Sequence, residues 1–133
     1  MHEDDLPWLH ALGSKRYPAR FDPDAACQWF KNIVLKSPMM FYPVRSADAF
    51  AISMLSCLPW TPNELETNVV FLCADDGAMW QALKLLRASI AWAERRKCTV
   101  WRMSSDTDYD LRALAYRLGA RDLSPRFELR LGG

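Results

Sequence analysis

The apolar positions change period twice in the middle of the chain. "NVVFLCA" (68–74) is almost continuously apolar and rich in β-branched residues, as expected of a strand covered on both faces. Beyond it, Met79, Leu83, Leu86, Ile90 and Ala93 step by four, three, four and three, one apolar stripe of a helix over about 78–96. "CTVWRMS" (98–104) then returns to strand composition, which predicts a parallel strand–helix–strand crossover. Upstream, "MMFYPVR" and "AFAISMLSCL" read as two further strands joined by hairpins. Pro43 places the first near an edge or bulge. "LPWTPNELET", with Pro59, Pro62 and Asn63, reads as a loop.

Helical signals flank this centre. "DDLPWLHAL" predicts a short helix capped by Asp4 or Asp5. "RFDPDAACQWFKNIVL" predicts a second, with Asp22 as cap, Pro23 at the first position, and Ala26, Phe30, Ile33 and Val34 on one face. Pro38 ends it. In "SSDTDYDLRALAYRLGA", Thr107 is the expected cap with Asp110 three residues on; Leu111, Leu114 and Leu118 share a face, and Gly119 closes the helix. "RFELRL" alternates Phe127, Leu129 and Leu131 against Arg126, Glu128 and Arg130, a last strand. The expected order is helix, helix, three strands, helix, strand, helix, strand. That is an α/β (α+β) chain with a mixed central sheet flanked by helices. It forms one domain over 1–133, with N-terminal helices in 1–37 and the sheet and long helix in 38–133.

Composition narrows the function classes. A chain of 133 residues with half its residues hydrophobic buries an ordinary core without a disulfide or metal. A net charge of +1 argues against a nucleic-acid binder. Cys27, Cys57, Cys73 and Cys98 are widely spaced in apolar segments, which reads as buried free thiols in a reducing compartment. "VVFLCA" is too short to span a bilayer, and "MHEDDLPW" lacks a signal-peptide plan. The expectation is a cytoplasmic protein without membrane contact. His2 and His10, beside Glu3, Asp4 and Asp5, read as surface residues rather than metal ligands.

One turn carries most of the chemistry. "CADDGAMWQALKLL" (73–86) runs from strand through a tight turn into a helix, the arrangement in which helix N-terminal N–H groups hold an anion. Two aspartates and a tryptophan occupy it. Glu64 and Glu66, just before the central strand, are candidate general bases for an amine. "ERRKC", at the far end of the helix, reads as cations complementing the helix dipole.

With "NVVFLCA", "LKLLRASIAWAERRKCTVWRMSS" and "LRALAYRLGARDLSPRFELRL" in this order, the chain resembles the GNAT superfamily of acyl-CoA N-acyltransferases over about Met40 to Leu131. The resemblance implies that a backbone N–H of the central strand faces the thioester and that pyrophosphate rests on the turn after it. This assigns acetyl-CoA to Leu72, Cys73, Ala74, Gly77, Ala78, Gln81 and Ala82. The family pattern there is Arg or Gln, two residues, Gly, one residue, then Gly or Ala. Aligned on Leu85 and Leu86, these slots hold Gly77, Trp80 and Ala82, so only the last matches. Asp75 and Asp76 add negative charge where phosphate would lie. The family's thiolate-protonating tyrosine falls on Ala115, with Tyr116 one residue away, and the slot of a frequent Asn holds Asp108, which reads as a capping residue.

Two functions follow. One is a GNAT-like protein with weakened or lost acetyl-CoA binding, hence no cofactor, acting through protein contacts at Trp60 and Trp80 and open to oligomerisation. The other is an active acetyl-CoA-dependent N-acetyltransferase with Glu64, Glu66 and Tyr116 as catalytic residues. The aspartate and tryptophan at the turn also resemble the GNAT-like internal virion proteins of tailed phages, which would place the protein in a virion.

Overall fold

A computed structural model describes residues 1–16, 22–57, 60, 61, 63–103, 112–121, 129 and 131. Four strands form one sheet in chain order: β1 (Phe41–Arg45), β2 (Ala49–Cys57), β3 (Leu65–Ala74) and β4 (Val100–Met103). The β1–β2 and β2–β3 pairs are antiparallel and β3–β4 is parallel, the mixed sheet expected from three consecutive strands and one crossover. Pro43 lies in β1, an outer strand among those described, where its missing N–H costs least. Predicted features at Thr107, Asp108, Asp110 and Leu111, at Pro59 and Pro62, and the strand over 126–131 apart from Leu129 and Leu131 lie outside the described residues.

The sheet divides two cores. On one face, α3 (Met79–Arg95) packs Ala82, Leu83, Leu85 and Leu86 on Ala49, Ala51, Val69, Leu72 and Ala74, with Leu114 of α4 (Arg112–Arg117) joining them. On the other, α1 (Leu6–Arg16) buries Leu9 and Leu12, and the turn that follows α2 (Pro23–Trp29) buries Phe30, against Phe50, Ile52 and Cys73. Phe50 is ringed by aromatics, stacked on Phe71 at 5.2 Å and meeting the edge of Trp8 at 5.6 Å.

Four sequence expectations change. The first helix is entered through a 3-10 turn, Glu3–Asp5, and Asp5 reaches back to accept the His2 N–H at 3.0 Å instead of capping from in front. Ile33 is exposed although Phe30 and Val34 are buried, because Phe30–Val34 forms a π-helical turn. Its i→i+5 ladder turns less per residue, so the position three residues on swings off the shared face. On α3 the buried face centres on Ala82, Leu86, Ser89 and Ala93, and Met79 lies at its rim. Ser89 is at that centre because its hydroxyl meets Ser53 Oγ at 2.6 Å and accepts from Trp101 Nε1 at 2.9 Å. Cys73 is buried, but Cys57 is exposed, so the four thiols do not share one environment.

Helix ends match their chemistry. The Asp22 carboxylate accepts from Ala25 N at 3.0 Å with Pro23 at the first position. Gly119, at φ +78°, closes α4 with the paired Gly119 N–H to Tyr116 and Ala120 N–H to Ala115 carbonyl bonds of a Schellman motif. α3 closes in the same way through Lys97 and Cys98, but here the left-handed residue, at φ +60°, is lysine. That conformation costs a side-chain-bearing residue roughly 1–2 kcal/mol. Lys97→Gly should therefore stabilise the protein by about 1 kcal/mol, read as a midpoint rise of roughly 3–4 °C in thermal unfolding.

Candidate functional site

Strand β3 is kinked where the site begins. Ile52 opposes Phe71 while Ser53 opposes Val69, so Val70 is an extra residue, a β-bulge. Before it, Val69 faces α3; after it, Leu72 and Ala74 do. The bulge thus lets one strand bury alternate residues on the same layer across a break in period. The parallel ladder to β4 runs from Glu66↔Val100 to Val69↔Met103, and so reaches the bulge.

At the C-terminal end of β3 the chain turns through Asp75, Asp76 and Gly77 into α3. Gly77 has φ +75°, a conformation suited to glycine, and a Cβ built on it would meet nothing within 4 Å. Ala78 precedes the helix without a side-chain cap. Within the turn, Asp75 N–H donates to the Asp48 carbonyl, Asp76 N–H to Asp75 Oδ1, and Ala78 N–H to the Asp75 carbonyl. The N–H groups of Gly77, Met79, Trp80 and Gln81 have no acceptor among the described residues. This leaves a row of donors at the positive end of a 17-residue helix.

The two aspartates face away from that row, toward α1. Lys15 Nζ lies 2.7 Å from Asp75 Oδ1, and Arg16 NH1 lies 2.5 Å from Asp76 Oδ1. The Lys15 hydrogen bond, followed by the Asp76 N–H, holds the Asp75 carboxyl below the usual aspartate range; the same bond raises the Lys15 ammonium. The turn therefore carries balanced charge, two acids and two bases.

The other residues assigned to acetyl-CoA divide by position. Leu72, Cys73 and Ala74 are buried, with Cys73 Sγ against the Leu12 carbonyl. Ala78 and Ala82 are buried under the turn, where a larger side chain would strike the sheet. The Gln81 amide is engaged elsewhere: its Oε1 accepts from Asp48 N–H at 2.8 Å and Ser46 Oγ at 2.5 Å, and its Nε2 donates to Asp48 Oδ2. Only its backbone N–H belongs to the row of donors. Trp80 does not fill the turn. Its side chain is 65 % exposed, with the Arg117 guanidinium 5.1 Å from its ring centre.

A second cluster lies on the sheet face opposite α3, beyond the cover of α1 and α2. Glu66 Oε1 accepts from Asn68 Nδ2 at 2.9 Å and from Ser56 Oγ at 3.3 Å, and Glu66 Oε2 lies 3.1 Å from Arg102 NH1. Asn68 Nδ2 also reaches Ser56 Oγ at 3.2 Å. These residues meet because Ser56↔Glu66 and Asn68↔Arg102 are register pairs on neighbouring strands. Glu64 is exposed and outside this cluster. Tyr116 is 59 % exposed, two positions from the buried Leu114 and so on the outer side of α4. Among the described residues no contact joins Glu66 and Tyr116. Trp60 is also exposed. Among the described residues no three His, Cys, Asp or Glu side chains gather as a metal site, and His10 instead meets Asp24 at 3.3 Å. No described helix is long and apolar enough to cross a membrane.

Lys15, Arg16, Ser56, Asn68, Arg102 and Arg117 were not among the sequence candidates. For Ser56, Asn68 and Arg102 no signal existed, because Glu66 falls in 58–67, which reads as a loop, whereas β3 begins at Leu65. For Lys15 and Arg16 none existed either.

No family model matches the sequence, and no curated protein matches it significantly. Solved structures match across nearly the whole chain. An aminoglycoside 6'-N-acetyltransferase from Acinetobacter haemolyticus superposes with a TM-score of 0.75 at 14 % identity, covering 99 % of this chain and 95 % of that one. The ribosomal-protein-alanine N-acetyltransferase of Brucella melitensis gives 0.72 at 17 % identity, covering 98 % and 96 %. AAC(6')-Iy, in complex with the bisubstrate analogue CoA-S-monomethyl-acetylneamine, gives 0.74 at 12 % identity, covering 100 % and 95 %. The fold is that of the GNAT acetyltransferases.

Proposed function

We propose, taking the GNAT fold as premise, that this protein binds an acyl-CoA at the β3–α3 turn and transfers the acyl group to an amine. The observation that carries the reading is the charge-balanced turn. Four N–H groups at the start of α3 lack acceptors among the described residues, and the two aspartates that would repel a diphosphate are held by Lys15 and Arg16. The residues present fit the group: a left-handed glycine leaves space for close backbone approach, and Ala82 keeps the helix tight on the sheet. Bound there, acetyl-CoA would supply an acyl thioester. Gly77, Met79, Trp80 and Gln81 would hold its diphosphate through backbone donors. Glu66, oriented by Asn68 and Ser56, would receive the proton that an amine gives up as it attacks.

The exposure of Trp60 and Trp80 favours a second reading, a GNAT-fold protein that docks on a protein partner without a cofactor. One experiment separates the two: thermal unfolding and calorimetric titration with acetyl-CoA. At about a hundred times its dissociation constant, a ligand adds roughly 2.7 kcal/mol. For this chain that is a midpoint rise of roughly 10 °C. No shift and no heat at millimolar acetyl-CoA would reject acyl-CoA binding and leave the partner reading.

A further inference from the structure

We infer that the outer face of α3 is a binding surface for single-stranded nucleic acid, with Trp80 stacking on a base and Lys84, Arg87, Arg95 and Arg117 meeting phosphates. The inference goes beyond acyl transfer and does not rest on it.

Ion pairing divides the charges of the molecule unevenly. Asp5, Glu66, Asp75 and Asp76 each hold a lysine or arginine of α1, β1 or β4. Lys84, Arg87 and Arg95 of α3 are exposed, and so is Arg117 of α4; none of the four has an acidic partner among the described residues. The net charge of +1 hides this segregation, because the acids that balance it are engaged on other elements. Helical spacing then lines the cations up. Positions 80, 84, 87, 91 and 95 step by four, three, four and four, so they share the side of α3 opposite the buried Leu86 and Ser89. Lys84 and Arg95 stand about 16 Å apart along the axis. Glu94, at the flank of this row, is the one acid of the helix.

A row of cations alone would suit any polyanion, and the indole narrows the choice. Trp80 is exposed at one end of the row, with the Arg117 guanidinium 5.1 Å from its ring centre. A nucleotide offers an aromatic face to such an indole and a phosphate to the cations beside it, and this stacking accepts any base. An acidic peptide offers carboxylates without the flat ring. In a duplex the bases are already stacked on one another, so an indole at the surface reaches none of their faces. The geometry therefore selects an unpaired strand, bound through charge and stacking rather than through sequence.

The test is fluorescence anisotropy of a labelled oligouridylate of about 12 nucleotides, the length scale of such sites. The wild type should bind it at micromolar protein in low salt, and log affinity should fall against log salt with a slope of about −3 for four phosphate contacts. Lys84→Gln with Arg87→Gln should weaken binding about tenfold and reduce the slope by about 1.4, two contacts at roughly 0.7 each. Trp80→Ala should weaken it about tenfold with the slope unchanged, and Trp80→Phe should recover most of the loss. These side chains are exposed, so the variants should unfold at the wild-type midpoint. No binding in low salt, a Trp80→Ala variant as tight as the wild type, or an unchanged slope in the double variant would overturn the inference. Polyglutamate that displaces the oligonucleotide at equal charge would overturn it in favour of an acidic protein segment, and tighter binding of a duplex would overturn the stacking role. Acetyl-CoA is absent throughout, so no outcome depends on whether acyl-CoA binds.

Discussion

Replacing Ser89 with alanine should cost about 3 kcal/mol, far more than deleting one hydroxyl at the surface would. Ser89 is fully buried at the middle of α3, and its oxygen is the meeting point of Ser53 Oγ on β2 and Trp101 Nε1 on β4. Alanine fills most of the space but leaves both of these groups without a partner under the helix. Each orphaned buried polar group costs roughly 1–3 kcal/mol. For a chain of this size the midpoint should fall by roughly 10 °C in thermal unfolding. A double-mutant cycle checks the mechanism. With Ser89 already alanine, Ser53→Ala should cost little or restore stability, because it removes one orphan. A fall of less than 1 kcal/mol for Ser89→Ala, or strict additivity with Ser53→Ala, would mean that packing alone sets the stability of this layer.

Ser89 also marks the limit of what the sequence could show. The spacing of Met79, Leu83, Leu86, Ile90 and Ala93 finds α3 but tilts its inner face, because a period of apolar residues has no place for a serine at the centre of a core. The strands were legible for the opposite reason. Most of β2 and the 69–74 part of β3 are nearly continuous apolar runs that composition alone marks, whereas 65–67 reads as a loop because Glu66 and Thr67 interrupt the run. Their bulge at Val70 was not legible, since Val69 and Val70 are chemically identical and only the pairing with β2 distinguishes them. Lys97 hid in the same way. A basic residue at a helix end has an obvious role with the dipole, and nothing local reveals that it also takes a left-handed conformation. At the turn, the sequence placed the helix N-terminus, the glycine and the two aspartates correctly. It did not show the cations that pair with those aspartates, because they stand 60 residues earlier.

That compensation yields the second large effect. Lys15→Ala with Arg16→Ala should weaken acetyl-CoA binding by at least roughly tenfold, although neither side chain belongs to the turn that would hold the diphosphate. Both cations leave, so Asp75 and Asp76 become two unpaired negative charges within a Debye length of the ligand, which is about 8 Å at physiological salt. The long-range repulsion should show in the salt dependence. Raising ionic strength should narrow the gap between variant and wild type, since these groups face water. Adding Asp75→Asn and Asp76→Asn to the double variant should restore most of the affinity, because the repelling charges are then gone. Restoration distinguishes balance from contact. If Lys15 and Arg16 instead touch the phosphates, the quadruple variant stays weak, and the two cations count as ligands of the cofactor. If the double variant binds as tightly as the wild type, the aspartates never faced the ligand, and the diphosphate does not lie at this turn.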